Sequence, residues 1–97
     1  MDFKEITSKM MKKLAKADKN VEEAKHCEDN EMAKIYHKMA QDNYDIFLML
    51  HKLAPQKAKD FMGEEFNPED KMFGVMHSLL VDWGQKVKQD IDNLKII

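Results

Sequence analysis

The chain has 97 residues, a charged fraction of 35% and a net charge of −2. This length suits one domain with a modest core. Acidic and basic residues are interspersed, so no basic stripe for nucleic acid emerges. The longest apolar run, residues 46–50, is far shorter than the roughly 18 residues of a membrane span. The lone Cys27 and the charged start MDFKEITSK predict a cytoplasmic protein. We therefore expect a single domain, residues 1–97, that binds neither nucleic acid nor a membrane.

The first predicted helix covers residues 3–27. Asp2 and Glu5 have the spacing of a capping box at its start. Apolar residues then recur at steps of three and four, which is typical of an amphipathic helix with one core-facing stripe. That stripe consists of Phe3, Ile6, Met10, Leu14, Ala17, Val21 and Ala24. The polar residues 27–30 form the next turn, in which Asp29 or Asn30 caps the second helix.

The second predicted helix covers residues 31–62. Pro55 removes a backbone donor and clashes with the preceding turn, so we expect a kink or a break near it, with Gly63 as the stop. Asn43 is a candidate core polar specificity residue that hydrogen-bonds across the bundle and fixes register or oligomeric state. Contact with a cofactor or ligand is the alternative for Asn43. The expected core face consists of Met32, Ile35, Tyr36, Met39, Ile46, Phe47, Leu50, Leu53 and Ala54.

The third predicted helix covers residues 68–95. Asn67 is a suitable N-cap and Pro68 fits the first helical position. Its core stripe is Met72, Phe73, Met76, Leu79, Leu80, Trp83, Val87, Ile91 and Leu94. Three helices of about 40 Å, at 1.5 Å per residue, can pack side by side. The sequence therefore predicts an all-α bundle of three long antiparallel helices.

The second helix also carries an apolar stripe opposite its expected core face. A helix that is apolar on two sides is usually covered from both. We therefore expect the back stripe to be an interface through which the chain forms a homo-oligomer, a dimer before larger assemblies; the alternative is that this helix is the central one of the fold. The candidate interface residues are Ala33, His37, Ala40, Tyr44, Leu48 and His51.

Segments two and three resemble the small ferritin-like, rubrerythrin-related proteins of bacteria and of their phages and prophages. The likeness lies in Ala33, Tyr36, Met39-Ala40, Leu50-His51 and the stretch MFGVMHSLLVDWGQKVKQDIDNLK. It implies a ferritin-like half-bundle and a phage-type accessory or effector protein. Di-iron proteins of this kind use paired Glu-x-x-His motifs. Here the corresponding positions are Asn43-x-x-Ile46 and Gly74-x-x-His77, so three of the four ligands of these two pairs are absent.

Other candidates for chemistry are weak. Glu23-x-x-His26, with Glu22 beside it, points away from the first core stripe and towards solvent. The sequence shows no phosphate-binding loop and no zinc spacing. We therefore expect a non-enzymatic protein that acts through protein–protein contact and holds no metal or cofactor. The alternative is a divergent di-iron or metal-binding protein, with ligands from Glu22, Asp42, Asp70 or His77.

Overall fold

The protein is an all-α bundle of three helices, as the sequence predicts. The structure, a computed structural model, describes the backbone of residues 3–61 and 68–94 and the side chains of residues 4–53, 75–76 and 78–94. Helix α1 is Phe3–His26, α2 is Asn30–Phe61 and α3 is Pro68–Asp92. These bounds lie within a few residues of the predicted ones. The molecule is a rod of 53 × 18 × 16 Å.

Cross-helix contacts fix the up-down-up topology. Asn20 on α1 bonds Asn43 on α2, and His37 on α2 bonds the carbonyl of Ile91 on α3. At the other end of the α2–α3 pair, Phe47 lies against Gly84. Residue numbers therefore fall along α3 as they rise along α2, so these two helices are antiparallel. Helix α1 is antiparallel to α2 because residues 27–29 connect the two helices directly and Asn20 meets Asn43 farther from that connection.

The predicted core stripe of α1 is confirmed from Ile6 to Ala24, since all its members in that span are buried. On α3, Leu80, Val87 and Ile91 are buried, while Trp83 and Leu94 are partly buried against the same cluster. Leu79 was wrongly placed in the core, because 62% of its surface is exposed. Phe3, Met72 and Phe73 lie outside the described side chains.

The turn between α1 and α2 is capped by Asp29, one of the two predicted residues. Its Oδ1 accepts the backbone N–H of Glu31 at 2.9 Å and that of Met32 at 3.4 Å. Its carbonyl oxygen accepts the N–H of Ala33 at 2.9 Å. These bonds satisfy donors that a helix leaves unpaired in its first turn, so α2 starts at a defined residue.

Helix α2 continues through Pro55 to Phe61, so it does not break there, and the kink expected at Pro55 stays a prediction. Helix α3 begins at Pro68, as expected for a proline in the first helical position. The expected caps Asp2 and Asn67, and the expected stop Gly63, lie outside the described residues. Within the described parts of the three helices, none is both long and apolar enough to cross a membrane.

Candidate interaction surface

Helix α2 buries a face that combines members of both predicted stripes. Phe47 and Leu50 of the predicted core face are buried, as expected, and so are Ala33, Ala40 and Tyr44, which were predicted to lie outside. The predicted core face followed from helical periodicity, which both stripes satisfy. The small side chains of Ala33 and Ala40 let neighbouring helices approach closely on the inner face.

The remaining members of the candidate interface also face the interior. Leu48 packs against the core cluster. His37 lies 3.3 Å from the carbonyl oxygen of Ile91, measured from its Nε2 atom. The ring of His51 stacks on Phe47 at a centroid distance of 6.4 Å and an interplanar angle of 9°. The stripe Ala33, His37, Ala40, Tyr44, Leu48 and His51 is therefore covered by the chain itself, and its placement on an open face was wrong.

The exposed face of α2 carries six large apolar side chains. Ile35 is 51% exposed and Met49 is 65% exposed, whereas a core residue such as Val87 is fully buried. We call this row, together with Asp42 at its centre, the outer seam. Its members are Met32, Ile35, Met39, Asp42, Ile46, Met49 and Leu53.

The spacing of the outer seam is that of a coiled coil. Its residues follow one another at steps of three and four without interruption, from position 32 to position 53. A narrow stripe of period 3.5 is typical of a helix that pairs with one other helix. At 1.5 Å per residue the seam is about 32 Å long. Only Asp42 interrupts its apolar character.

One edge of the outer seam is a row of charges, and the other edge carries Asn43. Glu31, Lys38, Asp45 and Lys52 recur every seven residues, and all four are exposed. Within the described part of the chain neither lysine of this row forms an ion pair. Asp45 accepts a hydrogen bond from Gln41 at 2.9 Å. The charged ends of this row thus remain accessible to a partner.

At the opposite edge, Asn43 joins α2 to α1. Its Nδ2 donates to Oδ1 of Asn20 at 2.9 Å, and Nδ2 of Asn20 lies 3.5 Å from Oε1 of Glu23. Asn20 is buried and Asn43 is half-buried. The bond across the bundle is as expected, although it lies at the boundary of the core. The role of Asn43 in fixing register stays a prediction.

An apolar hollow of about 260 Å³, separate from the outer seam, lies between α1 and α3. Met11, Leu79 and Trp83 contribute to its walls, with Met76 and Leu80 completing them. Leu79, misassigned to the core, forms its rim. The sequence contained one signal for this surface, since Leu79 and Leu80 cannot both lie on one narrow face of a helix.

The candidate metal ligands do not converge in the part of the chain that is described. No group of three or more His, Cys, Asp or Glu side chains is close enough there to hold an ion. Glu22 and His26 lie 3.6 Å apart on exposed surface, and Lys25 bonds the same carboxylate. Ile46 points outward. The side chains of Asp70, Gly74 and His77 lie outside the described residues, so the metal-binding alternative stays a prediction.

The outer seam is an apolar row with a charged edge on one side and Asn43 on the other, all carried on one continuous helix. Burial raises the pKa of the Tyr44 phenol on the inner face of α2. No protein-family model, no curated protein and no solved structure matches this chain.

Proposed function

We propose that this protein acts through protein–protein contact, with the outer seam of α2 as the contact surface. The supporting observation is the exposure of Met32, Ile35, Met39, Ile46, Met49 and Leu53 in one continuous row. Burial of such side chains gains free energy in proportion to the apolar area removed from water. A contiguous apolar patch on a small protein is typical of an interaction surface.

The experiment replaces one central seam residue by a charge. Ile46→Asp keeps the inner face of α2 intact, because Ile46 points away from the core. We expect it to abolish association of the chain with its partner, whether that partner is a second copy or another protein. The readouts are sedimentation of the purified protein and a pull-down from the native cell extract.

The matched control is Leu79→Asp, which places the same charge on another exposed apolar position. This control should retain seam-dependent association and show a similar loss of stability. If Ile46→Asp leaves every interaction of the wild-type chain unchanged, the proposal is wrong. The phage-type setting and the accessory or effector role that the resemblance implies stay predictions.

A further inference from the structure

We infer that the occupant of the outer seam is the outer seam of a second copy, with the two α2 helices antiparallel. The inference rests on the proposed function of this surface and adds the identity, direction and register of the partner. Three features of the described side chains support it: the position of Asp42 within the seam, the order of charges along the charged edge, and the seven-residue spacing of those charges.

Asp42 opposes a parallel pair. In a parallel, in-register coiled coil each seam residue meets its own copy. Asp42 would then face the partner's Asp42 across an apolar seam, with like charges in a partly desolvated site. In an antiparallel pair, Asp42 instead lies opposite an apolar side chain.

The charged edge selects one antiparallel register. When two helices run in opposite directions, residues that share a midpoint lie at the same height. Glu31 and Lys52 share a midpoint between residues 41 and 42, and so do Lys38 and Asp45. A twofold axis at this point therefore places Glu31 beside the partner's Lys52, and Lys38 beside the partner's Asp45. All four pairs are of opposite sign.

The pairing of apolar residues across the seam requires a twofold axis within one residue of the axis that the charges select. A twofold axis between residues 40 and 41 places Ile35 opposite the partner's Ile46, and Met32 opposite the partner's Met49. The two midpoints lie one residue apart, so the charged pairs are offset by two residues, or about 3 Å, which long charged side chains span. Met39 then faces the partner's Asp42, and the layers of Ile35 with Ile46 and of Met32 with Met49 are apolar on both sides. Leu53 lies beyond the last of these layers.

Shifting the register by one heptad reverses the electrostatics. With the axis moved towards the C-terminus, Asp45 faces the partner's Asp45 and Lys38 faces the partner's Lys52. With the axis moved towards the N-terminus, Lys38 faces the partner's Lys38. Both shifts place like charges together, which is unfavourable by about as much as the correct pairs are favourable. The sequence of charges along the edge thus specifies a self-complementary, isologous contact.

Disulfide trapping tests the direction of the pair. In a Cys27→Ser background, the variant Ile35→Cys/Ile46→Cys should form a covalent dimer of twice 11.4 kDa under mild oxidation. The two positions are about 16 Å apart along one helix, too far for an internal bridge. Ile35→Cys alone should give no dimer, since the two copies of residue 35 lie at opposite ends of an antiparallel contact.

The control is Ser78→Cys/Gln89→Cys, a pair with the same spacing at exposed positions of α3, which should form no covalent dimer on oxidation. Efficient cross-linking of Ile35→Cys alone would show a parallel pair and overturn the inference. It would leave the outer seam as a contact surface, and the proposed function would stand.

Charge exchange tests the register. By symmetry, Lys38→Glu alters two pairs at once, and we expect it to weaken dimerisation about tenfold. Asp45→Lys should do the same. The double variant Lys38→Glu/Asp45→Lys restores opposite charges and should return the dissociation constant to the wild-type value, as measured by sedimentation equilibrium. Failure of the double variant to recover would contradict this register.

A wild-type chain that stays at 11.4 kDa at every concentration tested would overturn the inference outright. That outcome is distinct from failure of the proposed function. The pull-down with Ile46→Asp still reports whether the outer seam binds a different protein.

Discussion

A Cβ atom on Gly84 would lie 2.7 Å from Cε1 and 2.9 Å from Cζ of Phe47. A Cβ atom essentially never lies that close to another carbon atom, so the absence of a side chain at position 84 is what admits the Phe47 ring between α2 and α3. Phe47 is buried, and its ring lies near those of Tyr44 and His51 on the same helix. These two neighbours limit where the ring can move.

Gly84→Ala is expected to destabilise the fold even though alanine is the better helix former. The gain in helix propensity is about 1 kcal/mol, whereas overpacking a core costs about 1–3 kcal/mol. We expect a net loss of about 1 kcal/mol in the free energy of unfolding, measured by urea denaturation. In a Phe47→Leu background the same substitution should be stabilising. A stabilising effect of Gly84→Ala in the wild-type background would show that the ring moves freely.

The amide pair Asn20–Asn43 predicts non-additive energetics. Asn20→Leu removes the acceptor of the 2.9 Å bond and leaves a half-buried amide without it, at a cost of about 1–3 kcal/mol. Asn43→Leu should cost a similar amount, because Asn20 is the more buried partner. The double variant should be less destabilised than the sum of the two singles. A double-mutant cycle by chemical denaturation measures this coupling, and additive losses would show that the bond contributes nothing.

The cap of α2 predicts a local effect on helix formation. Asp29→Ala removes the side-chain acceptor of two backbone donors and should lower the free energy of unfolding by about 1 kcal/mol. Asp29→Asn retains an acceptor oxygen and should be close to neutral. Glu28→Ala, one residue earlier and exposed, is the control. Equal losses for Asp29→Ala and Glu28→Ala would contradict the capping role.

Tyr44 predicts alkaline sensitivity. Burial raises the pKa of its phenol above the usual value of 10.0, as do the nearby carboxylates of Asp92 and Asp45, while Lys88 opposes the shift. The Lys88 ammonium lies 5.8 Å from the centre of the ring. Lys88→Met should therefore raise the pKa further. Absorbance at alkaline pH, with Tyr44→Phe as the blank, isolates this group.

The same shift sets the direction of the stability change with pH. The folded protein holds the phenolic proton more tightly than the unfolded chain does. Stability is therefore complete below the unfolded pKa and falls as pH rises from there through the raised folded value. We expect Tyr44→Phe to lose less stability than wild type across that window. An identical alkaline loss in both proteins would assign it to other groups.

The sequence contained enough to predict the helices but not which side of α2 is inside. Helix lengths and starts follow from periodicity and from residues such as Asp29 and Pro68, whose effects are local. The two faces of α2 have similar spacing, so periodicity cannot rank them. Their ranking depends on fits between distant residues, namely Phe47 with Gly84 and Asn43 with Asn20, and these fits appear only once the helices are placed.

The charge order of the outer seam could have been recognised in the sequence. Glu31, Lys38, Asp45 and Lys52 stand at equal intervals with alternating sign. That regularity has no role in the monomer, where each position is exposed. The pattern is easily missed when the seam is predicted to face the core, because charged residues beside a core stripe are usually interpreted as its solvent-exposed border.

Because α2 has two similar apolar faces, α1 can pack on either of them as the chain folds. Helix α1 can pack against α2 before α3 has been synthesised, and at that moment both faces of α2 offer it apolar side chains at the same spacing. Packing on the outer seam would leave the Asn43 amide without Asn20 and would leave Ala33 and Ala40 exposed to solvent. The hydrogen bond between Asn20 and Asn43 therefore favours packing of α1 on the inner face of α2 over packing on the outer seam.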